Sequence, residues 1–269
     1  MTKIKIAVAG CLGRMGQDIS KKILNNNKLE FVGGFEHKKH TSINKQINKV
    51  SDINSLKLID SNPALSIKPA NVLIDFTTPQ STLENVKIAS LNKTAVVIGT
   101  TGMTDNQKQK IKNYSKKIPI LMSSNMSLGV NLLFNLVQKT ALALKDIDYD
   151  IEISETHHKH KKDAPSGTAL SLGEYAAIGR KTSLKKSKVL DRTKKLNSRK
   201  RGDIGFSVIR GGEIAGEHTV SFIGKNDRVD LVHKANNRSI FVSGAIEAAI
   251  FISKKKSGLF SMKDLLFKN

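Results

Sequence analysis

The densest chemistry in this sequence lies between residues 155 and 168, Glu-Thr-His-His-Lys-His-Lys-Lys-Asp-Ala-Pro-Ser-Gly-Thr, which carry three of the chain's seven histidines. Imidazole and ammonium groups set this close can donate hydrogen bonds to carboxylates and protons to a developing carbanion or amine, so the segment reads as a cationic pocket for a dianionic substrate. A metal site is the alternative, because His158 and His160 would share one face of a strand. Adjacent lysines repel a cation, and no Cys or further His lies at a spacing that completes a tetrahedral shell, so no metal is expected. Fully extended, the chain would hold His157 and Lys161 roughly 13 Å apart, too far to act on one small ring, so a catalytic pair requires the segment to curl. Downstream, Ser166 reads as a helix N-cap, and the amides of Gly167 and Thr168 with the Thr168 hydroxyl can grip a carboxylate. His218 and His233, isolated in apparent strands, read as structural.

A second constellation stands near the amino terminus. Gly10-Cys11-Leu12-Gly13-Arg14-Met15-Gly16 lies between an apolar run and an amphipathic stretch, the strand–turn–helix context that a dinucleotide-binding loop needs. Gly10 permits the tight turn, Gly13 lets backbone approach a pyrophosphate and Gly16 lets the helix pack on the sheet. Glu36, 20 residues after Gly16, is placed to accept from ribose hydroxyls, whereas the following His37, Lys38, Lys39 and His40 could neutralise a 2′-phosphate. NADH and NADPH therefore both remain open. Cys11 reads as a small filler rather than a reactive thiol. Gly99-Thr100-Thr101-Gly102 and Ser124-Asn125-Met126-Ser127 follow two further predicted strands, where ligands of doubly wound sheets bind.

The elements that must carry these groups fall into two patterns. Through residue 126, short β-branched runs (4–9, 29–35, 72–76, 94–98, 118–122) alternate with helical stretches (13–27, 79–91, 104–117), which predicts βαβ units and a parallel, Rossmann-type sheet. Residues 37–69 are polar and poorly patterned. Residues 128–144 are apolar on nearly every face, as in a helix buried between layers. A strand at 149–155 and a helix at 168–180 precede a Lys-rich connection at 181–200. Consecutive strands at 204–209, 213–222 and 228–233 then predict a smaller α+β domain with a mixed or antiparallel sheet. An apolar helix at 239–252 and a closing segment at 259–267 are expected to return to the first domain. The boundaries expected are 1–126 with 238–269 for the dinucleotide-binding domain, and 127–237 for substrate binding and oligomerisation.

The composition qualifies the obvious reading of its charge. Over 269 residues, 45 Lys+Arg against 23 Asp+Glu give +22, which on its face suggests a polyanion partner. Yet 37 of the 45 are Lys and 8 are Arg, whereas base readout favours Arg, and no Trp and three Tyr make a poor stacking platform. Specific nucleic-acid binding is not expected. One cysteine fits a reducing compartment, and no apolar run reaches the length of a membrane span, so a cytoplasmic protein is expected.

Taken in order, Gly10-x-x-Gly-Arg-Met-Gly16, Ile74-Asp-Phe-Thr77, Ile98-Gly-Thr-Thr-Gly102, Ser124-Asn-Met-Ser127, Glu155-Thr-His-His-Lys-His-Lys161, Asp163-Ala-Pro-Ser-Gly-Thr-Ala169, Gly216-Glu-His218 and Ser257-Gly-Leu-Phe260 resemble the signatures of the 4-hydroxy-tetrahydrodipicolinate reductase (dihydrodipicolinate reductase) family. The resemblance implies NADH- or NADPH-dependent reduction of a cyclic, unsaturated dicarboxylate at C4, giving tetrahydrodipicolinate with loss of water, in the diaminopimelate route to lysine. It implies His157 as general acid/base, Lys161 as proton donor, and His158, Ser166, Gly167 and Thr168 as carboxylate contacts. It assigns cofactor contacts to Gly10, Cys11, Leu12, Gly13, Arg14, Met15, Glu36, His37, Gly99, Thr100, Thr101, Ser124, Asn125, Met126 and Ser127. It also implies a homotetramer and a hinge closure that unites cofactor and substrate. The chain departs from the family at His37, where an Arg is commoner, at Thr156, and over 37–69.

Overall fold

The computed structural model describes residues 2–193 and 198–267. The chain forms two compact units, Met1–Ser127 with Ser239–Asn269, and Leu128–Arg238.

In the first unit the described strands are β1 (Ile4–Ala9), β2 (Leu29–Phe35), β3 (Ile59–Asp60), β4 (Val72–Asp75), β5 (Ala95–Ile98) and β6 (Pro119–Met122). They alternate with helices α1 (Arg14–Leu24), α2 (Pro63–Ile67), α3 (Pro79–Leu91) and α4 (Asp105–Ser115). Runs such as Val-Leu-Ile-Asp and Ala-Val-Val-Ile are buried along their whole length, as strands covered on both faces must be. Helix starts are written locally: Thr78 caps α3 with Pro79 in the first turn, and Thr104 and Gln107 close a capping box on α4. The first unit's sheet runs β12-β6-β5-β4-β1-β2-β3, every pair parallel, where β12 is Gly258–Phe260. The order reverses between β1 and β4, so the loops leaving these strands flank the switch point where doubly wound sheets bind ligands.

The polar 37–69 segment is better anchored than its pattern suggests. Ile47, Ile53, Ile59 and Ile67 are all fully buried. Ser, Asn and Lys interrupt the stretch around them, so neither a two- nor a 3.6-residue period emerges, yet each is buried.

The second unit carries α5 (Leu128–Ala143), β7 (Tyr149–His157), α6 (Gly167–Gly179), α7 (Leu184–Ser187), β8 (Lys188–Val189), β9 (Ile204–Arg210), β10 (Gly216–Gly224) and β11 (Arg228–Ala235). Its sheet order is β11-β10-β7-β9-β8, with β7 parallel to β9 and antiparallel to β10, a mixed sheet. Ile151, Ile153, Phe206, Val220 and Phe222 pack with Leu133, Phe134, Val137 and Leu172 of α5 and α6. Two expectations need correction. Helix α5 is not buried all round, since Leu132, Leu136 and Leu142 stay exposed within the described residues. The Lys-rich connection holds α7 and β8 and docks by both apolar packing and charge: Leu184 packs against the core, Arg199 Nε lies 2.7 Å from Asp150 and Arg192 3.0 Å from Glu152; residues 194–197 fall outside the described residues. The chain then closes with α8 (Ser239–Ile252) and α9 (Met262–Leu266), β12 pairing with β6.

Candidate cofactor and active sites

The glycine loop opens on a cavity of about 540 Å³ whose walls include Gly10, Gly13, Glu36, His37, Lys38 and Thr77. Gly10 adopts a left-handed φ of 63°, and its N–H donates to the Phe35 carbonyl at 2.9 Å, turning the chain out of β1. Beneath it, a Cβ added to Gly16 would lie 2.0 Å from the Gly10 carbonyl oxygen, so only glycine lets α1 start this close. The N-cap is Gly13, which brings no side-chain hydrogen bond; the first-turn amides are thereby left as a seat for an anion. Glu36 accepts the Leu12 N–H at 2.7 Å, tying the end of β2 to the loop, and His37 beside it is exposed. Cys11 is buried against Gly34; burial first, then the Glu36 carboxylate, push its thiol up to about 12, so it is an inert filler. Arg14 and Met15 begin α1 beside the cavity's glycines.

Gly99–Thr101 and Ser124–Ser127 follow β5 and β6 but are not among the residues walling that cavity. Gly99 packs on Phe76, whose ring a Cβ would strike at 2.1 Å, and Ser127 N–H donates to the Asn125 side chain at 2.8 Å. Asp75, which no motif marks as a ligand contact, ties the end of β4 to α3 and to Thr100 of the loop after β5. Its buried carboxylate accepts from the Thr77 N–H at 2.9 Å, the Thr77 hydroxyl at 2.7 Å, Thr82 at 3.1 Å and Asn85 at 2.9 Å, while Thr82 and Thr100 hydroxyls stand 2.8 Å apart. A polar residue closing an otherwise apolar strand was the available signal.

The other site grows from the alternation of β7. Ile151, Ile153, Glu155 and His157 share one face; the first two enter the core and the last two replace it with ionisable groups. The strand therefore runs two residues past its expected end, and the chain curls only afterwards, with the Lys161 N–H donating to the His158 carbonyl at 3.1 Å. That turn is the curl a His157–Lys161 pair requires. Cross-strand register places Glu155 opposite His218 of β10 and His157 opposite Arg210 of β9.

Glu155 is 1% exposed. Its carboxylate accepts from Arg210 Nη1 at 2.9 Å and Nη2 at 2.8 Å, from the Ser166 N–H at 3.0 Å, and meets His157 Nδ1. Burial pushes this carboxyl up, but the Arg210 fork, the Ser166 amide and His157 outweigh it and hold it below the ordinary carboxylate range. For His157, burial lowers the imidazole, Glu155 pulls it back up, and Lys161 and Arg210 lower it again; the net direction is down. Burial, with His157 next to it, pushes His218 down to about 4, so it stays neutral near pH 7.

Lys161 Nζ pairs with both Asp163 oxygens at 2.7 and 2.9 Å, which holds Asp163 below its ordinary range. Ser166 is buried; its hydroxyl caps α6 at the Ala169 N–H, 3.1 Å, and stands 3.1 Å from His218 Nε2. Gly167 is exposed with open space where a Cβ would be, and His158 is half-buried, its backbone N–H donating to the Ile214 carbonyl at 2.8 Å. His218, read from the sequence as structural, is buried with its ring centroid 5.1 Å from that of His157. Among the described residues, Glu155, His157 and His218 also bring donor atoms within 4.8 Å of one another, a set the sequence reading did not weigh. The Arg210 guanidinium already occupies both Glu155 oxygens, and a cation there meets a fixed positive charge.

Two family models match the chain: "Dihydrodipicolinate reductase, N-terminus" over residues 4–126 and "Dihydrodipicolinate reductase, C-terminus" over 129–266. The chain is 41% identical over 266 residues to the 4-hydroxy-tetrahydrodipicolinate reductase of Nitrosomonas eutropha, covering 99% of each. It is 40% identical over 263 residues to that of Polynucleobacter necessarius subsp. necessarius, covering 98% of each. Its structure resembles a dipicolinate-bound dihydrodipicolinate reductase from Paenisporosarcina sp. TG-14, with a TM-score of 0.78, 25% identity, and coverage of 97% of this chain and 98% of that one.

Proposed function

The chain belongs to the dihydrodipicolinate reductase family, and from that premise we propose that it reduces 4-hydroxy-tetrahydrodipicolinate to tetrahydrodipicolinate with NADH or NADPH, in the diaminopimelate route to lysine. The observation that carries the reading is the placement of His157 at the end of β7 and Lys161 in the turn that follows, each held by a carboxylate, ahead of the start of α6.

In each turnover the substrate sheds water, its C4 hydroxyl leaving with a hydrogen from the neighbouring ring carbon; C4 of the unsaturated ring then gains a hydride, and that neighbouring carbon regains a proton. The bound nicotinamide supplies the hydride. Gly10, Cys11, Leu12, Gly13, Arg14 and Met15 would hold its phosphates, Glu36 and His37 the adenosine ribose, and Gly99–Thr101 with Ser124–Ser127 the nicotinamide end. The capless start of α1 and the glycine-lined cavity fit a pyrophosphate. The protein's part in the chemistry is protonic. Lys161 donates the proton. His157, depressed by burial, is neutral until a dianion lies near it; the added negative charge favours its protonated form and makes it a general acid/base. Gly167, Thr168 and His158 grip the substrate carboxylates, and Ser166, its hydroxyl engaged with Ala169 and His218, shapes the helix start from which they do so.

Freshly made dihydrodipicolinate synthase product should cause loss of the reduced nicotinamide's near-ultraviolet absorbance in proportion to enzyme. A rate no higher than the enzyme-free background sinks the reading. Cofactor preference should turn on Glu36: its carboxylate welcomes ribose hydroxyls and repels a 2′-phosphate. Glu36→Ala is expected to shift the ratio of kcat/KM for NADPH over NADH upward about tenfold, a difference of ~1.4 kcal/mol; an unchanged ratio removes Glu36 from the discrimination.

We further read the protein as a cytoplasmic homotetramer. No helix among the described residues is long and apolar enough to cross a membrane. Ile209, Val232 and Ile223 stay exposed on the sheet face turned away from α5 and α6, an apolar surface a second copy would cover. Light scattering should return four chain masses; a monomer at micromolar concentration contradicts it.

A further inference from the structure

The charge buried behind His157 has no task in the reaction as set out above. Glu155 and Arg210 come from neighbouring strands, 55 residues apart in sequence, and meet in a two-pronged ion pair with Arg210 19% and Glu155 1% exposed in their side chains. A pair removed from water this far is costly to assemble and gives little net stability in return. Here it touches one of the groups assigned to proton transfer and reaches the other through Asp163. Glu155 meets Nδ1 of His157. Arg210 Nη2 also donates to the Asp163 carbonyl at 2.7 Å, and the side chain of Asp163 holds Lys161.

We propose that Glu155 and Arg210 are a positioning pair: the carboxylate fixes the His157 ring with its proton on Nδ1 and its Nε2 available to the substrate, and the guanidinium locks that carboxylate while anchoring the turn that bears Lys161. The inference rests on the reductase reading of this site. An ionised carboxylate can only accept, so the imidazole nitrogen facing it carries the proton. The charge-assisted fork and the Ser166 N–H keep Glu155 ionised. His157 is faced by Glu155 on its own strand, Arg210 on β9, His218 on β10 and Lys161 in the turn. Of these, only Glu155 is an acceptor anion. On the other side of the ring, a Cβ at Gly216 would approach Nε2 to 2.9 Å, so glycine there keeps Nε2 uncrowded. The same register that makes the pair also names its weakest substitution. In Glu155→Gln the carboxamide oxygen stays with Arg210 and turns its NH2 toward Nδ1, which must then give up its proton; the tautomer inverts and Nε2 is blocked by its own hydrogen.

Nitrogen-15 NMR of the wild-type protein, with His157 assigned by its loss in His157→Gln, should show Nδ1 protonated in the neutral ring; a proton on Nε2 overturns the proposal without any variant needing to fold at Glu155. Glu155→Gln should reverse that tautomer and lower kcat by roughly 10²-fold, with KM for substrate and cofactor changed by no more than about threefold. Arg210→Lys keeps the charge and loses the fork, so its kcat should fall between the two. A folded Glu155→Gln protein with wild-type kcat and tautomer overturns the positioning role while leaving the reductase reading intact. A wild-type protein with no turnover but an Nδ1-protonated His157 overturns the reading instead.

Discussion

Replacing Lys161 by alanine is expected to lower kcat by about 10²–10⁴-fold, the range that a positioned proton donor contributes. The dissociation constant for NADH should stay at the wild-type value. The separation is physical. Lys161 sits in the turn after β7 of the second unit, tied to Asp163 at 2.7 Å, whereas the cavity proposed for the dinucleotide is walled by residues of the first. Removing the ammonium also releases Asp163, whose carboxylate then stands beside a pocket meant for a dianion, so substrate KM should rise as well. Steady-state kinetics with fluorescence titration of NADH measure all three quantities. A wild-type kcat removes Lys161 from the reaction, and a lost NADH affinity means that the defect is general rather than catalytic.

The second large effect is expected at Gly16. Alanine there places its Cβ 2.0 Å from the Gly10 carbonyl oxygen and 2.8 Å from Cys11 Cα, and both are backbone, which cannot swing aside. Either α1 or the loop must move. Overpacking of this kind costs about 1–3 kcal/mol of stability, and a shift of about 1 Å in the loop is enough to lose roughly 10²-fold in cofactor-dependent kcat/KM. Thermal unfolding and NADH titration of Gly16→Ala check the two arms. A protein as stable and as tight for NADH as wild type would mean that the loop does not bind phosphate as proposed.

What could be read in advance, and what could not, follows from how local each signal is. The glycine loop, the βαβ alternation and the Ser166 cap are statements about residues a few positions apart, and the chain alone displays them. Glu155 as a partner of His157 was nearly legible: the two are separated by one residue on a strand whose preceding inward positions, Ile151 and Ile153, are core. Arg210 and His218 were not. They reach Glu155 and Ser166 across 55 and 52 residues, and only strand order and register, which depend on the whole sheet, say which residue stands opposite which. For the same reason His218 looked isolated in its strand. Asp75 hid differently, since its partners Thr77, Thr82, Asn85 and Thr100 come from the ends of two strands and one helix. The isoleucines of 37–69 escaped because burial without periodicity leaves no pattern to find.

The +22 charge keeps a local meaning. Lys161 and Arg210 pair with Asp163 and Glu155 where the proposed mechanism needs cations, and His37 and Lys38 wall the cavity where a 2′-phosphate would lie. Elsewhere, lysines on the surface can raise the rate at which anions reach either site.

The most direct test of the central claim follows the hydride itself. With nicotinamide cofactor doubly deuterated at its C4, turnover of 4-hydroxy-tetrahydrodipicolinate should place one deuterium on C4 of the tetrahydrodipicolinate formed, seen by NMR of the product. Product formed without deuterium at that carbon, or cofactor unchanged after prolonged incubation with substrate, would contradict the account.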